Sequence, residues 1–305
     1  MSYRIRPDRA LDDEVHKAAA HQLGKAMAVL TDRPQGLHEA VHAARKNIKR
    51  VRALYRLVAP LAPEFQQQEN DRLRAVAQTL SGVRDATALI EISRYLQATA
   101  ASADELQALA RVSDVLTTRR DRMAETETDL EDKARAAVAT CSEALTALKD
   151  VSFDCGRRDT ARLFQKGWRK NARKARRALS ECRADVAHAE SFHDLRKRSQ
   201  DCWMHHMLLR DVWPAAMHAK QIEAKALVDV LGRYLDMSIL SDVADREPHL
   251  FDGSDDRARL LEAIISRQQI AREEALDRAR WVFADKPERE ARTIKRLWLE
   301  AADRS

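Results

Sequence analysis

The stretch Val41-His42-Ala43-Ala44-Arg45-Lys46-Asn47-Ile48-Lys49-Arg50-Val51-Arg52-Ala53-Leu54-Tyr55-Arg56 decides the fold class. At about 100° per residue on a helix, His42, Arg45, Lys46, Lys49, Arg50, Arg52 and Arg56 fall within an arc of roughly 160°. Val41, Ala44, Ile48, Val51, Leu54, Tyr55 and Val58 fall on the opposite side, which makes the helix amphipathic. Its polar face carries a single sign, because no Asp or Glu occurs from Ala40 to Pro63.

The second half repeats the pattern. Counted from Lys166, the cations Arg162, Arg169, Lys170, Arg173, Lys174, Arg176 and Arg177 share an arc of about 160°. Phe164, Trp168, Ala172, Ala175 and Leu179 lie opposite, and no acid occurs from Thr160 to Ser180. From Arg162 to Arg177 there are nine like-charged i,i+3 or i,i+4 pairs. At about 0.2–0.5 kcal/mol each they cost about 2–4 kcal/mol before salt screening. A merely solvated face would mix signs, so two single-sign faces point to an anionic ligand. His42 and His193 open their helices on the polar side, with Arg or Lys at i+3 and i+4, placed as hydrogen-bond donors to phosphate.

Composition agrees with long helices. The chain of 305 residues holds only 7 Gly and 7 Pro, where average usage gives roughly 20 and 15. That argues against β-rich sandwiches and barrels and excludes collagen-like chains. With 45% hydrophobic residues a substantial core can be buried. The 54 Lys and Arg stand against 48 Asp and Glu, a net charge of +6, so a cationic site must come from segregated charge. No apolar run approaches the roughly 20 residues of a membrane span, and a membrane partner is not expected. Met1 to Ala10 is polar, so no secretory leader and a cytoplasmic location are expected. Cys141, Cys155, Cys182 and Cys202 share no metal-ligand spacing and read as reduced structural thiols.

The apolar periodicity predicts helices over 11–30, 37–59, 64–98 with a kink at Gly82, 104–149, 159–187, 191–212, 214–246, 255–283 and 288–302. Val151 to Gly156 is the expected boundary between 1–150 and 151–305. The halves echo each other at one offset of 151: His42-Ala-Ala-Arg45-Lys46 with His193-Asp-Leu-Arg196-Lys197, and Leu80-Ser-Gly-Val-Arg84-Asp85 with Leu231-Gly-Arg-Tyr-Leu-Asp236. Leu89 and Leu240 keep the register. Two matched pairs at one offset imply a duplicated four-helix unit.

Other motifs fail. His38-Glu39-Ala-Val-His42 fits the zinc-hydrolase pattern H-E-x-x-H, yet no G-x-x-H continuation follows, and Arg45 and Lys46 crowd the site with positive charge. The second copy has Ala189 where His38 would recur. Glu288-Arg-Glu290-Ala-Arg292 lacks the Lys of a triphosphate-metal motif. No P-loop, dinucleotide fingerprint or nucleophile elbow is present. Neither a catalytic residue, nor a metal, nor a cofactor is assigned. Only 5% of residues are aromatic, which disfavours single-stranded nucleic acid, bound on stacking platforms. Trp168 falls on an apolar arc and Trp203 near the edge of the basic face counted from His193.

Several of these residues carry a resemblance. The sequence resembles the CHAD family (conserved histidine α-helical domain) in Val41-His42-x-x-Arg45-x-x-x-Lys49-Arg50-x-Arg52, in Leu80-x-x-x-Arg84-Asp85, and in Phe192-His193-Asp-Leu195-Arg196-Lys197-Arg198. Phe283-Ala-Asp-Lys286-Pro287 is similar to the family's closing segment. The resemblance implies an all-α fold of two pseudo-symmetric four-helix bundles, 1–150 and 151–305, with a basic groove between them. It implies a stand-alone, non-enzymatic module that binds inorganic polyphosphate, located at polyphosphate granules with other granule proteins as partners. Implied ligand contacts are His42, Arg45, Lys49, Arg50 and Arg52, then Lys166, Arg169, Lys170 and Arg173, then His193, Arg196 and Lys197, with Arg119 and Arg267 on later helices. Lys46, Arg56 and Arg177 extend the stripes, and Arg84 comes with its motif. Gln200, Asp201 and Leu235 depart from the family pattern, which predicts a weaker second-half site. The rival readings are a nucleic-acid binder using the same cations and, behind it, a metal-dependent phosphohydrolase.

Overall fold

Few prolines and glycines leave the chain few places to stop, and it runs in helices almost throughout. The computed structural model describes residues 3–126, 129–184, 189–251 and 254–304, with side chains for all of these except 81–85, 124–126, 189 and 254. In the first half lie α1 (Leu11–Asp32), α2 (Leu37–Val58), α3 (Pro63–Thr79), α4 (Ser81–Ala98), α5 (Ala103–Thr126) and α6 (Leu130–Lys149). The second half holds α7 (Arg157–Cys182), α8 (Ala189–Leu208), α9 (Pro214–Arg246), α10 (Ser254–Val282) and α11 (Pro287–Asp303). Short 3-10 turns follow α8 and α9, and no strand occurs among the described residues.

Two predicted helices are each two. The run over 64–98 breaks at Leu80, where φ is −90° and ψ 16°, two residues before the glycine expected to kink it. Thr79 Oγ1 donates to the Val76 carbonyl at 2.9 Å, the back-bonding that bends helices. The run over 104–149 divides into α5 and α6. Asp129 stands at the N-cap of α6, and Glu131 and Asp132 follow in its first turn, where acids suit the helix dipole. The 151-residue echo extends to helix starts: α3 opens at Pro63 and α9 at Pro214, α5 at Ala103 and α10 at Ser254.

Apolar surface is buried in two clusters that do not divide at residue 150. One joins α1, α2, α3, α6 and α11 with the start of α7 and the end of α8, through residues such as Leu23, Ile48, Tyr55, Phe164 and Trp298. The other joins α4, α5, α9 and α10 with the end of α7 and most of α8, through Leu96, Leu116, Phe192, Leu231 and Leu260. Thus α7 and α8 each run from one cluster into the other, and α4 packs on α9 and α5 on α10 across the chain's midpoint. Cys141, Cys182 and Cys202 are buried free thiols. Burial pushes Cys141 up to about 11 and Cys182 up to about 12.

Packing brings the two basic helices together. α2 lies against both α7 and α8. Where α2 and α7 cross, Gly167 meets the backbone of Leu57 so closely that a Cβ would stand 2.6 Å from the Leu57 carbonyl oxygen. A backbone oxygen cannot swing aside as a side chain can. Gly167→Ala should therefore force the helices apart and lower stability by about 1–3 kcal/mol in a denaturant titration.

Glu69 on α3 is fully buried, and neither carboxylate oxygen receives a hydrogen bond, although Arg72 Nη1 lies 3.2 Å from Oε1. Burial raises its pKa above the usual carboxylate value of 4.5. The folded carboxyl holds its proton to higher pH than the unfolded one. Its contribution to stability is complete below about pH 4 and fades as pH climbs through the raised value. Glu69→Gln should flatten that decline in thermal unfolding curves collected from pH 4 to 8.

Candidate anion-binding cleft

The α2–α7 crossing closes one side of a cleft of about 520 Å³. Nine cations line it: Arg45, Lys49, Arg52 and Arg56 from α2, Arg74 from α3, Lys170 and Lys174 from α7, and Lys197 and Arg198 from α8. Among the described residues one carboxylate lines it, Asp201. Part of each single-sign stripe, four cations of α2 and two of α7, thus lines one space, with α3 as an added wall.

The floor is a built network. Arg56 donates from Nε and Nη2 to Asp201 Oδ1 at 3.0 and 2.6 Å, and Arg198 Nη1 lies 3.5 Å from Asp201 Oδ2. The Asp201 side chain is 2% exposed. The acid that the sequence presents as a defect of the second-half site therefore sits beneath the cleft as counter-ion to two arginines. Asn70 Oδ1 accepts from Arg52 Nε at 3.1 Å and from Arg56 Nη1 at 3.2 Å. Arg45 Nη1 donates to the Ala77 carbonyl, which anchors α2 to α3. Burial, followed by the charge of Arg56, lowers Arg52 to about 10, so it stays cationic at neutral pH. His205 donates from Nε2 to the Ala53 carbonyl at 3.1 Å, and burial holds its pKa below the usual imidazole value. Asn171 donates to the Arg198 carbonyl at 3.0 Å, while its Oδ1 and Arg198 Nε have no hydrogen-bond partner.

Of the residues expected to contact ligand, Arg45, Lys49, Arg52, Arg56, Lys170 and Lys197 line the cleft. None of the others with a described side chain lines it. Arg50 is spent on Gln22 and Asn47 and stacks over Tyr3 at 6.0 Å. Arg173 pairs with Glu288 at 2.5 Å and Arg177 with Glu181 at 2.8 Å. Arg196 lies over Gly232 of α9, where a Cβ would stand 3.1 Å from its Nη2. Arg119 pairs with Glu247 at 2.6 Å in a different depression, and Arg267 pairs with Glu105 at 3.1 Å. Lys46, Lys166 and His193 are exposed, and Arg169 and His42 partly so, outside the lining. The Arg84 side chain lies outside the described residues.

Three lining cations escaped the sequence assignment. Lys174 and Arg198 belong to stripes that were recognised, but Arg74 sits in the mixed-sign run Asp71-Arg72-Leu73-Arg74. One signal was available, since Lys225 stands 151 residues after Arg74. No Phe, Tyr or Trp lines the cleft among the described residues, and Trp203 packs instead against the apolar clusters. Of the H-E-x-x-H stretch, His38 and Glu39 are exposed, and no group of three or more His, Cys, Asp or Glu is placed to hold a metal among the described residues. No described helix is long and apolar enough to cross a membrane.

The family model for the CHAD domain matches residues 10–245. The chain belongs to the CHAD domain family. That family is associated with polyphosphate binding in general. The crystal structure of the CHAD domain from the plant Ricinus communis shares the fold, with a TM-score of 0.61 at 16% identity over 93% of this chain and 95% of that one. No curated protein matches. In this CHAD protein the buried Asp201 offsets the mutual repulsion of Arg56 and Arg198. Asp201→Asn should leave both unpaired and cost about 3–5 kcal/mol of stability, measured by chemical unfolding.

Proposed function

We propose that this CHAD protein binds inorganic polyphosphate in the cleft between α2, α3, α7 and α8, as a non-enzymatic module. The observation that carries the reading is nine cations from both halves of the chain against a single carboxylate. The halves are read as pseudo-equivalent units with the basic groove between them, as the recurring helix starts suggest. Arginine offers paired donors to phosphate oxygens and lysine adds point charge. The histidine and the carboxylate of the described lining, His205 and Asp201, are both committed to internal bonds. A chain of phosphates needs no stacking platform, which fits the absence of aromatic rings from the described lining. Association with polyphosphate granules follows from this reading as its cellular consequence.

Calorimetry with polyphosphate of defined length tests it. Triple replacement of Lys49, Lys170 and Lys197 by Glu should abolish retention while circular dichroism stays helical. If six cations engage phosphates, affinity should fall about 10³-fold between about 50 and 200 mM salt through counterion release. Unaltered affinity in the folded triple variant would falsify the site. Nucleic acid is the second reading, because phosphate contacts carry no sequence information. Displacement of polyphosphate by single-stranded DNA at equal phosphate concentration would favour it.

A further inference from the structure

Lys170 and Lys174 stand one turn apart on α7, and both line the cleft with Lys197 and Arg198 of α8. Lys197 leans toward Asp194, 3.7 Å away. Among the described residues, Lys174 has neither a hydrogen bond nor an ion pair. Lys174 is exposed on the cleft wall, where partial desolvation holds its ammonium below the ordinary lysine range, and Arg198, Lys170 and Lys197 push the same way against Asp194. Lys174 is thus an amine that loses its proton more readily than an isolated lysine, set among groups suited to phosphate oxygens. Such a cluster seats any phosphate that fits, including one joined to an acyl group. The acyl carbon then lies beside a nucleophile.

We propose that Lys174 is a self-acylation site for small acyl phosphates, whose phosphate is seated by Lys170, Lys197 and Arg198. The unprotonated Nζ attacks the carbonyl carbon. A nitrogen–carbon bond forms, the carbon–oxygen bond to phosphate breaks, and inorganic phosphate leaves with that electron pair. The extra proton on nitrogen passes to water. The product is a neutral amide, so one cation of the cleft is lost and its hold on a polyanion weakens. The inference rests on the cleft being an anion site and adds a means of regulating it.

The experiment treats the full chain with acetyl phosphate and maps acetyl-lysine by mass spectrometry over time. Lys174 should react about tenfold faster than Lys25, Lys149 and Lys286, which are exposed like it but lie outside the cleft. Acetic anhydride, which lacks the phosphate, should erase most of that preference, and excess pyrophosphate should suppress it. Treated protein should bind polyphosphate several-fold more weakly, and Lys174→Arg should make the affinity insensitive to treatment. Equal rates at Lys174 and the three lysines outside the cleft, or equal weakening of the Lys174→Arg chain by treatment, would overturn the proposal. Calorimetry on untreated protein separates the two readings. Polyphosphate binding without preference for Lys174 removes the acylation and leaves the anion site standing. A pyrophosphate-sensitive preference for Lys174 in a chain that ignores polyphosphate supports the acylation and removes polyphosphate as ligand.

Discussion

The two most basic helices of the chain cross in contact, although their charged faces repel. Gly167 makes this possible: with no Cβ on α7 at the crossing, the helix axes approach until backbone meets backbone at Leu57. Apolar burial on the other faces supplies the attraction. Val41, Ile48, Val51 and Tyr55 of α2, with Phe164 and Trp168 of α7, all lie in one cluster. The closeness of the positive groups is thus imposed by packing that does not involve them.

That imposed closeness is managed selectively. On the flanks of α7, repulsion is relieved by acids: Asp159 takes Arg162, Glu288 takes Arg173 and Glu181 takes Arg177. At the floor, Asp201 takes Arg56 and Arg198. Along the walls, Lys170, Lys174 and Arg74 have no acid partner among the described residues. A like-charge cluster held without its counter-ion is destabilising in the free protein and becomes favourable when an anion arrives. The site is already assembled, so little ordering remains for the ligand to accomplish.

How much of this was legible in the sequence depends on what each residue signals locally. The amphipathic stripes of α2 and α7 were legible because period and sign coincide in one helix. The start of α9 at Pro214 was legible from its proline. The divisions at Leu80 and Asp129 were not, because apolar periodicity continues across them, and at Leu80 the break shows only in the backbone and in the bond from Thr79 to the Val76 carbonyl. Gly167 gave no sign of its role, since a helical glycine announces nothing about the neighbour it touches. Asp201 read as an intruder in a basic segment, because sequence shows neighbours along the chain and not Arg56, 145 residues away. The outlying arginines Arg119 and Arg267 were assigned by resemblance alone, and tertiary partners claim both.

The passage of α7 and α8 through both apolar clusters has a consequence for cooperativity. Neither chain half, severed near residue 150, keeps a closed interior: the first loses α7 and α8, which pack on α2, and the second loses the surfaces of α4 and α5 on which α9 and α10 rest. The two halves of the chain are therefore interdependent in their packing. With α7 and α8 buried in both clusters, loosening either cluster removes support from the other, like two clasped hands that share their fingers.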